Sequence, residues 1–235
     1  MSGSETSRIN KYIASSGLCS RREADRLIEE GRVTVNGTVA ESGMQVSDAD
    51  TVLVDGKNII PESKEIYIAF NKPLGITCTT DSRDPSNIID YINYPERIFP
   101  IGRLDKNSSG LILLTNDGSI VNTLLRAENN HEKEYQVTLD RPYDDKFIKE
   151  MESGVPVLGQ ITLPCKITRV SARVFKIVLH QGLNRQIRRM CEFEGYKVVK
   201  LRRIRFMNIQ LSTLATGQWR YLTGKEIKEL KSAAS

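Results

Sequence analysis

Within the stretch Gly102-Arg103-Leu104-Asp105-Lys106-Asn107-Ser108-Ser109-Gly110, an arginine stands two residues before an aspartate, where a polar loop meets the apolar run 111–114. A guanidinium beside a partly buried carboxylate holds it ionised at neutral pH. Such a carboxylate, short of water, is a nucleophile or a base. The same residues also suit a structural loop, in which Asp105 caps a turn and Asn107, Ser108 and Ser109 satisfy backbone amides. Other chemistries have less to work with. Two histidines, His131 and His180, lie far apart, which leaves little for a Ser-His-Asp triad. Cysteines 19, 78, 165 and 191 form no CxxC pair and no zinc spacing, so they read as reduced, buried thiols. No Gly-rich phosphate loop is present, so neither cofactor nor metal is expected.

Charge is informative by position. The 235 residues carry a net +5, yet residues 1–60 hold seven basic and nine acidic residues. Residues 183–206 hold eight basic residues (Arg185, Arg188, Arg189, Lys197, Lys200, Arg202, Arg203, Arg205) against Glu192 and Glu194. Clustered Lys and Arg are the footprint of a polyanion, although a solvated face has the same composition. With 39% hydrophobic residues the chain can bury one sizeable core or two small ones. The N-terminus has no apolar h-region and no run of about 18 apolar residues occurs, so a cytoplasmic protein without a membrane span is expected.

The elements that must position these residues fall into two groups. In front, Ile9, Tyr12 and Ile13 at i, i+3 and i+4 predict a helix ended by Gly17. Ser20 three residues before Glu23 predicts a capping box on a second helix, with Ala24, Leu27 and Ile28 inward and Arg21, Arg22 and Arg26 near its start. Val33, Val35, the Asn36-Gly37 pair and Val39 predict a hairpin. A polar stretch at 61–65 suggests a linker, giving domains at 1–60 and 67–235 around 61–66. From Tyr67 onward strands and helices interleave: strands near 65–72, 111–114, 134–139 and 174–180, and helices carrying Ile120, Leu124 and Leu125, then Phe147, Ile148 and Met151, then Ile187, Met190 and Cys191. A Leu222–Ile227 staple around Thr223 and Glu226 predicts a C-terminal helix. The expected fold is α+β, a small helix-helix-β domain plus a larger one with a mainly antiparallel mixed sheet.

Residues 8–37, RINKYIASSGLCSRREADRLIEEGRVTVNG, resemble the S4-type RNA-binding domain in order, spacing and the CSRREAD core. The segments NKPLG (71–75), GRLDKNSSGLILLTNDG (102–118), HEKEYQVTL (131–139) and QGLNRQIRRM (181–190) resemble, in order, the motifs of the S4-bearing RsuA/RluB/RluE/RluF family of pseudouridine synthases. Within it the chain is most similar to the RluF branch, which modifies large-subunit (23S) ribosomal RNA. Leu183 is useful there, because many relatives carry a basic residue at that place. The resemblance implies that Asp105 is essential for catalysis, and that Arg103 inserts into the nucleic acid where the target base was. It further implies that Tyr135 stacks on the flipped uracil, that Ile187 packs beside it, and that Arg188 pairs with the catalytic carboxylate. RNA contacts are expected from Arg21, Arg22, Arg26, Asn184, Arg185, Arg189, Arg202 and Arg205, and from Lys72 unless that lysine is structural.

Isomerising uridine breaks C1′–N1, turns the uracil, joins C5 to C1′ and removes the C5 proton, with no atoms gained or lost. A carboxylate can attack the sugar, attack the base or take a sugar proton, and all three stay open. The base must leave its stack, which costs a few kcal/mol offset by Tyr135 stacking and Arg103 filling the gap. Without the resemblance, Tyr135 reads first as a core strand tyrosine. The partner implied is ribosomal RNA, 23S foremost, with small-subunit or transfer RNA as alternative substrates, acted on by a monomer. An inert RNA-binding or ribosome-assembly factor and a base-releasing glycosylase are the rival readings.

Overall fold

The computed structural model describes residues 6–61, 64–125 and 131–233. The chain divides into two compact units, one of residues up to Glu65 with Pro95–Arg97 and Asn116–Gly118, the other of the remainder.

The first unit follows its apolar spacing. Helix Ile9–Ser15 buries Ile9, Tyr12 and Ile13 and is followed by Gly17 in the left-handed region, at φ 78°. Helix Arg21–Glu29 buries Ala24, Leu27 and Ile28. Ser20 Oγ accepts from the Glu23 amide at 3.1 Å, but the reciprocal half of the capping box does not form, because the Glu23 carboxylate pairs with Arg26. Strands Thr38–Val39, Val33–Val35, Val52–Val54 and Lys57–Asn58 lie in that order, all antiparallel, with Asn36 and Gly37 both at positive φ in the hairpin turn. Val33, Val46 and Val52 close the core against the helices.

The second unit is built on a nine-stranded sheet. Its main path runs Lys166–Arg169, Val174–Leu179, Lys133–Leu139, Val198–Phe206, Ser109–Thr115, Tyr67–Lys72 and Trp219–Tyr221. Every pair is antiparallel except Val198–Phe206 with Ser109–Thr115, which is parallel and joined at Arg202↔Ser109 and Arg203↔Gly110. On one side of that joint, helices Asp145–Ser153 and Gln186–Phe193 bring Phe147, Met151, Ile187 and Met190 onto Val137, Phe175 and Leu201. On the other side, strands Tyr67–Lys72 and Ser109–Thr115 are covered on both faces. Ile120, Leu124 and Leu230 cover one face; Ile88, Ile98 and Leu104 cover the other. Burial on two faces is why 111–114 reads as an unbroken apolar run. Leu125, expected inward with Ile120 and Leu124, is 40% exposed. The C-terminal helix Gly224–Ser232 begins with a closed capping box between Thr223 and Glu226.

All four cysteines are free thiols; Cys78 and Cys191 are buried, whereas Cys19 and Cys165 are half-buried. Burial pushes the Cys165 thiol up to about 12. Among the described residues no helix is long and apolar enough to cross a membrane.

Candidate active site

Asp105 sits in a short turn between strand Phe99–Ile101 and strand Ser109–Thr115, and the backbone on both sides of it is pinned. The Leu104 amide donates to Cys78 Sγ at 3.3 Å. The Ser108 amide donates to the Asp105 carbonyl at 2.9 Å, and the Gly75 amide to the Lys106 carbonyl at 2.9 Å. Lys106 Nζ reaches Ser86 Oγ at 3.0 Å, and Arg188 Nη2 reaches the Asn107 carbonyl at 2.6 Å. A rigid turn therefore presents a carboxylate whose side chain is 34% exposed. Its oxygen Oδ2 lies 3.9 Å from Arg185 Nη1.

That turn opens on a cavity of about 1170 Å³ lined by Arg103, Asp105, Tyr135, Asn184 and Arg185. Tyr135 is half-buried and packs against the cores on both sides of the parallel joint. Arg185 holds a left-handed backbone (φ 52°, ψ 33°) at the start of helix Gln186–Phe193. For a non-glycine residue this costs about 1–2 kcal/mol, strain that persists only where surrounding bonds impose it. Here the buried Gln186 imposes it: its Oε1 accepts from the Leu183 amide at 3.1 Å, and its Nε2 donates to Gln181 Oε1 at 3.2 Å.

Not every expected residue reaches the cavity. Arg188, expected beside the carboxylate, donates instead to the carbonyls of Asn107 and Val198 (2.6 and 3.1 Å). It lines a separate hollow of about 550 Å³ with Arg202, Lys200 and Gln136. Burial and the Arg185 charge pull its pKa down, while Asp105 pushes it up. Ile187 is 4% exposed and belongs to the core behind the helix. Lys72 is fully buried, its Nζ on the carbonyls of Pro73 and Ile76 at 3.0 and 2.8 Å. A lysine so enclosed cannot meet a phosphate, and burial lowers its pKa against the pull of Asp105.

The basic run 183–206 is likewise thinned. Arg205 is held by Glu132 and Glu134, both at 2.9 Å, so its charge is neutralised locally. Arg189 clasps Asn184 through Nε and the Asn184 carbonyl at 3.0 Å. Arg203 is buried, while Lys197, Lys200 and Arg202 remain exposed. In the first unit Arg21, Arg22 and Arg26 are exposed along their helix.

Sequence reasoning missed two cations that line the cavity, Lys133 and Arg203. A signal for Lys133 was there: it stands two residues before Tyr135 on one strand and so shares its face. His180, also in the lining, had none.

Comparison with known proteins places this arrangement. Residues 66–193 match the family described as RNA pseudouridylate synthase, and residues 7–57 match the S4 domain. The dual-specificity RNA pseudouridine synthase RluF of Escherichia coli (strain K12) is 54% identical over 225 residues, covering 95% of this chain and 78% of that protein. The ribosomal large subunit pseudouridine synthase B of Bacillus subtilis (strain 168) is 36% identical over 236 residues, covering 97% and 96%. A crystal structure of a pseudouridylate synthase, 29% identical, superposes with a TM-score of 0.70 and covers 95% of this chain and 99% of its own. A carboxylate on a rigid turn, lining one cavity with an arginine and a tyrosine, thus sits in a chain that belongs to the RNA pseudouridylate synthases, isomerases of uridine, with an S4 domain at its front.

Proposed function

We propose that this enzyme isomerises a specific uridine of large-subunit ribosomal RNA to pseudouridine, working as a monomer in the cytosol. The observation that carries this reading is the convergence of Asp105, Arg103 and Tyr135 on one cavity, in a chain 54% identical to RluF. Asp105 is the catalytic carboxylate. Tyr135 stacks on the extruded uracil, and Arg103 takes the place that the base vacates, which together offset an unstacking cost of a few kcal/mol. Residues 1–60 guide the RNA, with Arg21, Arg22 and Arg26 on phosphates, and the chain from 67 onward carries the chemistry. Arg188 orients Asp105 through the Asn107 carbonyl rather than by direct pairing. Arg185 takes the place beside the carboxylate.

RluF is named for dual specificity, and transfer RNA, the alternative substrate of the sequence reading, is included in the proposal as a second substrate. The test incubates the protein with a 23S transcript and with transfer RNA and maps pseudouridine by carbodiimide-blocked reverse transcription. A stop at one uridine, absent with Asp105→Asn, supports the reading. No stop on either RNA refutes it, and released uracil would mark a glycosylase instead.

A further inference from the structure

Arg203 faces Tyr135 directly across the antiparallel pair Lys133–Leu139 and Val198–Phe206, and lines the same cavity as Tyr135 and Asp105. Neighbouring pairs on that face are Val137↔Leu201 and Leu139↔Val198, all apolar and buried. A guanidinium therefore stands where the row calls for a hydrophobic side chain. Arg203 is 3% exposed. Its Nε donates to the Leu111 carbonyl at 2.6 Å, and its Cζ lies 5.6 Å from the centre of the Phe206 ring. Nη2 is buried with no hydrogen-bond partner among the described residues, and no ion pair engages the group among them. Lys133, 9% exposed, adds a second cation to the same wall, with its Nζ on the carbonyls of His131 and His180. A buried charged donor left unpaired is costly, because it gives up its hydration and gains no bond in return. An unsatisfied group of this kind calls for an explanation, and a catalytic role is one of them.

We propose that Arg203 is a uracil-binding catalytic residue: its guanidinium donates to a carbonyl oxygen of the uracil stacked on Tyr135 and stabilises the negative charge that oxygen gains during the reaction. The inference rests on the pseudouridine synthase reading above. It holds for each of the three roles open to Asp105. When the carboxylate attacks C1′, the C1′–N1 bond pair passes to uracil and spreads over O2 and O4. When it removes the C2′ proton, the C2′–H pair becomes a C1′=C2′ double bond and the C1′–N1 pair again leaves with the base. When it adds to C6, the π electrons of the C5=C6 and C4=O bonds shift until the charge rests on O4. Every route loads a carbonyl oxygen, and a donor fixed in advance beside it lowers the barrier without reorganising. A pair at C5 then forms the C5–C1′ bond: it displaces the carboxylate where that had attacked C1′, and it adds to the C1′=C2′ bond as C2′ regains its proton on the second route. On the C6 route it breaks C1′–N1, and the carboxylate leaves C6 as the C5=C6 bond is restored. In every case the C5 proton passes to water and N1 takes up a proton. The guanidinium is unchanged throughout.

Single-turnover pseudouridine formation on a ribosomal RNA transcript tests this, using the parent, Arg203→Lys and Arg203→Met, with thermal unfolding and RNA affinity measured alongside. The Met variant should lose about a hundredfold or more in rate while its Kd for RNA changes by less than about threefold, and the Lys variant should recover part of the loss. The parent should also be slowed about tenfold on RNA whose target uridine is replaced by 2-thiouridine or by 4-thiouridine, because sulfur is a poor acceptor. A folded Met variant should no longer distinguish these substrates. The thio-substitution experiment needs only the parent, so it decides the matter if the variants fail to fold. Equal parent rates on all three RNAs overturn the proposal, as does a folded Met variant within about twofold of the parent, or one whose loss lies only in RNA affinity. Failure of the parent to form pseudouridine at all would instead overturn the synthase reading on which this rests.

Discussion

Arg185 brings Nη1 to 3.9 Å from Asp105 Oδ2, whereas Arg188, one helical turn on, spends its guanidinium on the carbonyls of Asn107 and Val198. The two arginines should therefore separate in experiment. Arg185→Gln removes an exposed charge, so stability should stay within about 0.5 kcal/mol while turnover falls on the order of tenfold. Arg188→Gln should lower stability by about 2–3 kcal/mol, because two backbone carbonyls lose a charged donor. Thermal unfolding alongside single-turnover rates separates them, and the opposite pattern would return the pairing role to Arg188.

Asp105→Asn keeps the shape of the turn and removes the charge. Pseudouridine formation should vanish while RNA affinity stays within about threefold of the parent. Measurable turnover by the purified variant would remove Asp105 from the chemistry.

Salt dependence should distinguish Arg202 from Arg205. Arg202 is exposed, so Arg202→Gln should reduce the slope of log affinity against log salt by about one unit on all RNAs alike. Arg205→Gln should leave that slope nearly unchanged, because Glu132 and Glu134 already occupy the guanidinium. Filter binding across a salt series reads both.

Gly110 has φ 104°, and a Cβ there would lie 2.2 Å from the Arg203 carbonyl oxygen. Gly110→Ala should cost about 3 kcal/mol or more, combining backbone strain with overpacking. Denaturant unfolding measures it, and a loss below about 1 kcal/mol would mean that the two strands simply part to make room.

The C-terminal helix carries a pH signature. Arg220 grips Glu226 through two bonds of 2.7 and 2.8 Å, and with the Thr223 amide this lowers the Glu226 pKa to about 2 from 4.5. A carboxylate with a depressed folded-state pKa binds fewer protons folded than unfolded. Its contribution is therefore complete above about pH 4.5 and fades as pH falls toward 2. Solvent screening leaves about 1 kcal/mol at neutral pH. Glu226→Gln should lose that increment at pH 7 and converge with the parent near pH 2 in an unfolding series.

Elements whose burial follows from their own spacing were legible in the sequence: the stripe Ala24, Leu27, Ile28, the Asn36-Gly37 turn, and the Thr223–Glu226 box all stand as read. Local chemistry failed where a nearer partner intervened, as when Arg26 drew Glu23 away from Ser20. Asp105, Arg103 and Tyr135 were legible through their motifs, and the structure brings them to one cavity. The fates of the cations were not. Lys72, Arg203 and Arg205 look alike in a basic sequence, and their burial or pairing depends on strands far apart in the chain, with Arg203 anchored 92 residues away at Leu111. An extra residue, Ile204, between the pairs Glu134↔Arg205 and Tyr135↔Arg203 also breaks the simple alternation that would have placed Arg203 and Arg205 on one face.

The parallel joint between Val198–Phe206 and Ser109–Thr115 has a mechanical meaning. Asp105 hangs from one side of it and Tyr135 from the other, and the two sides pack on different cores. Only Arg202↔Ser109 and Arg203↔Gly110 set the register there, so the joint acts as a gauge block for the gap into which a base must slide. A side chain at Gly110 would meet the Arg203 backbone before touching either functional group, so the close approach of the two sides rests on the absence of one carbon atom.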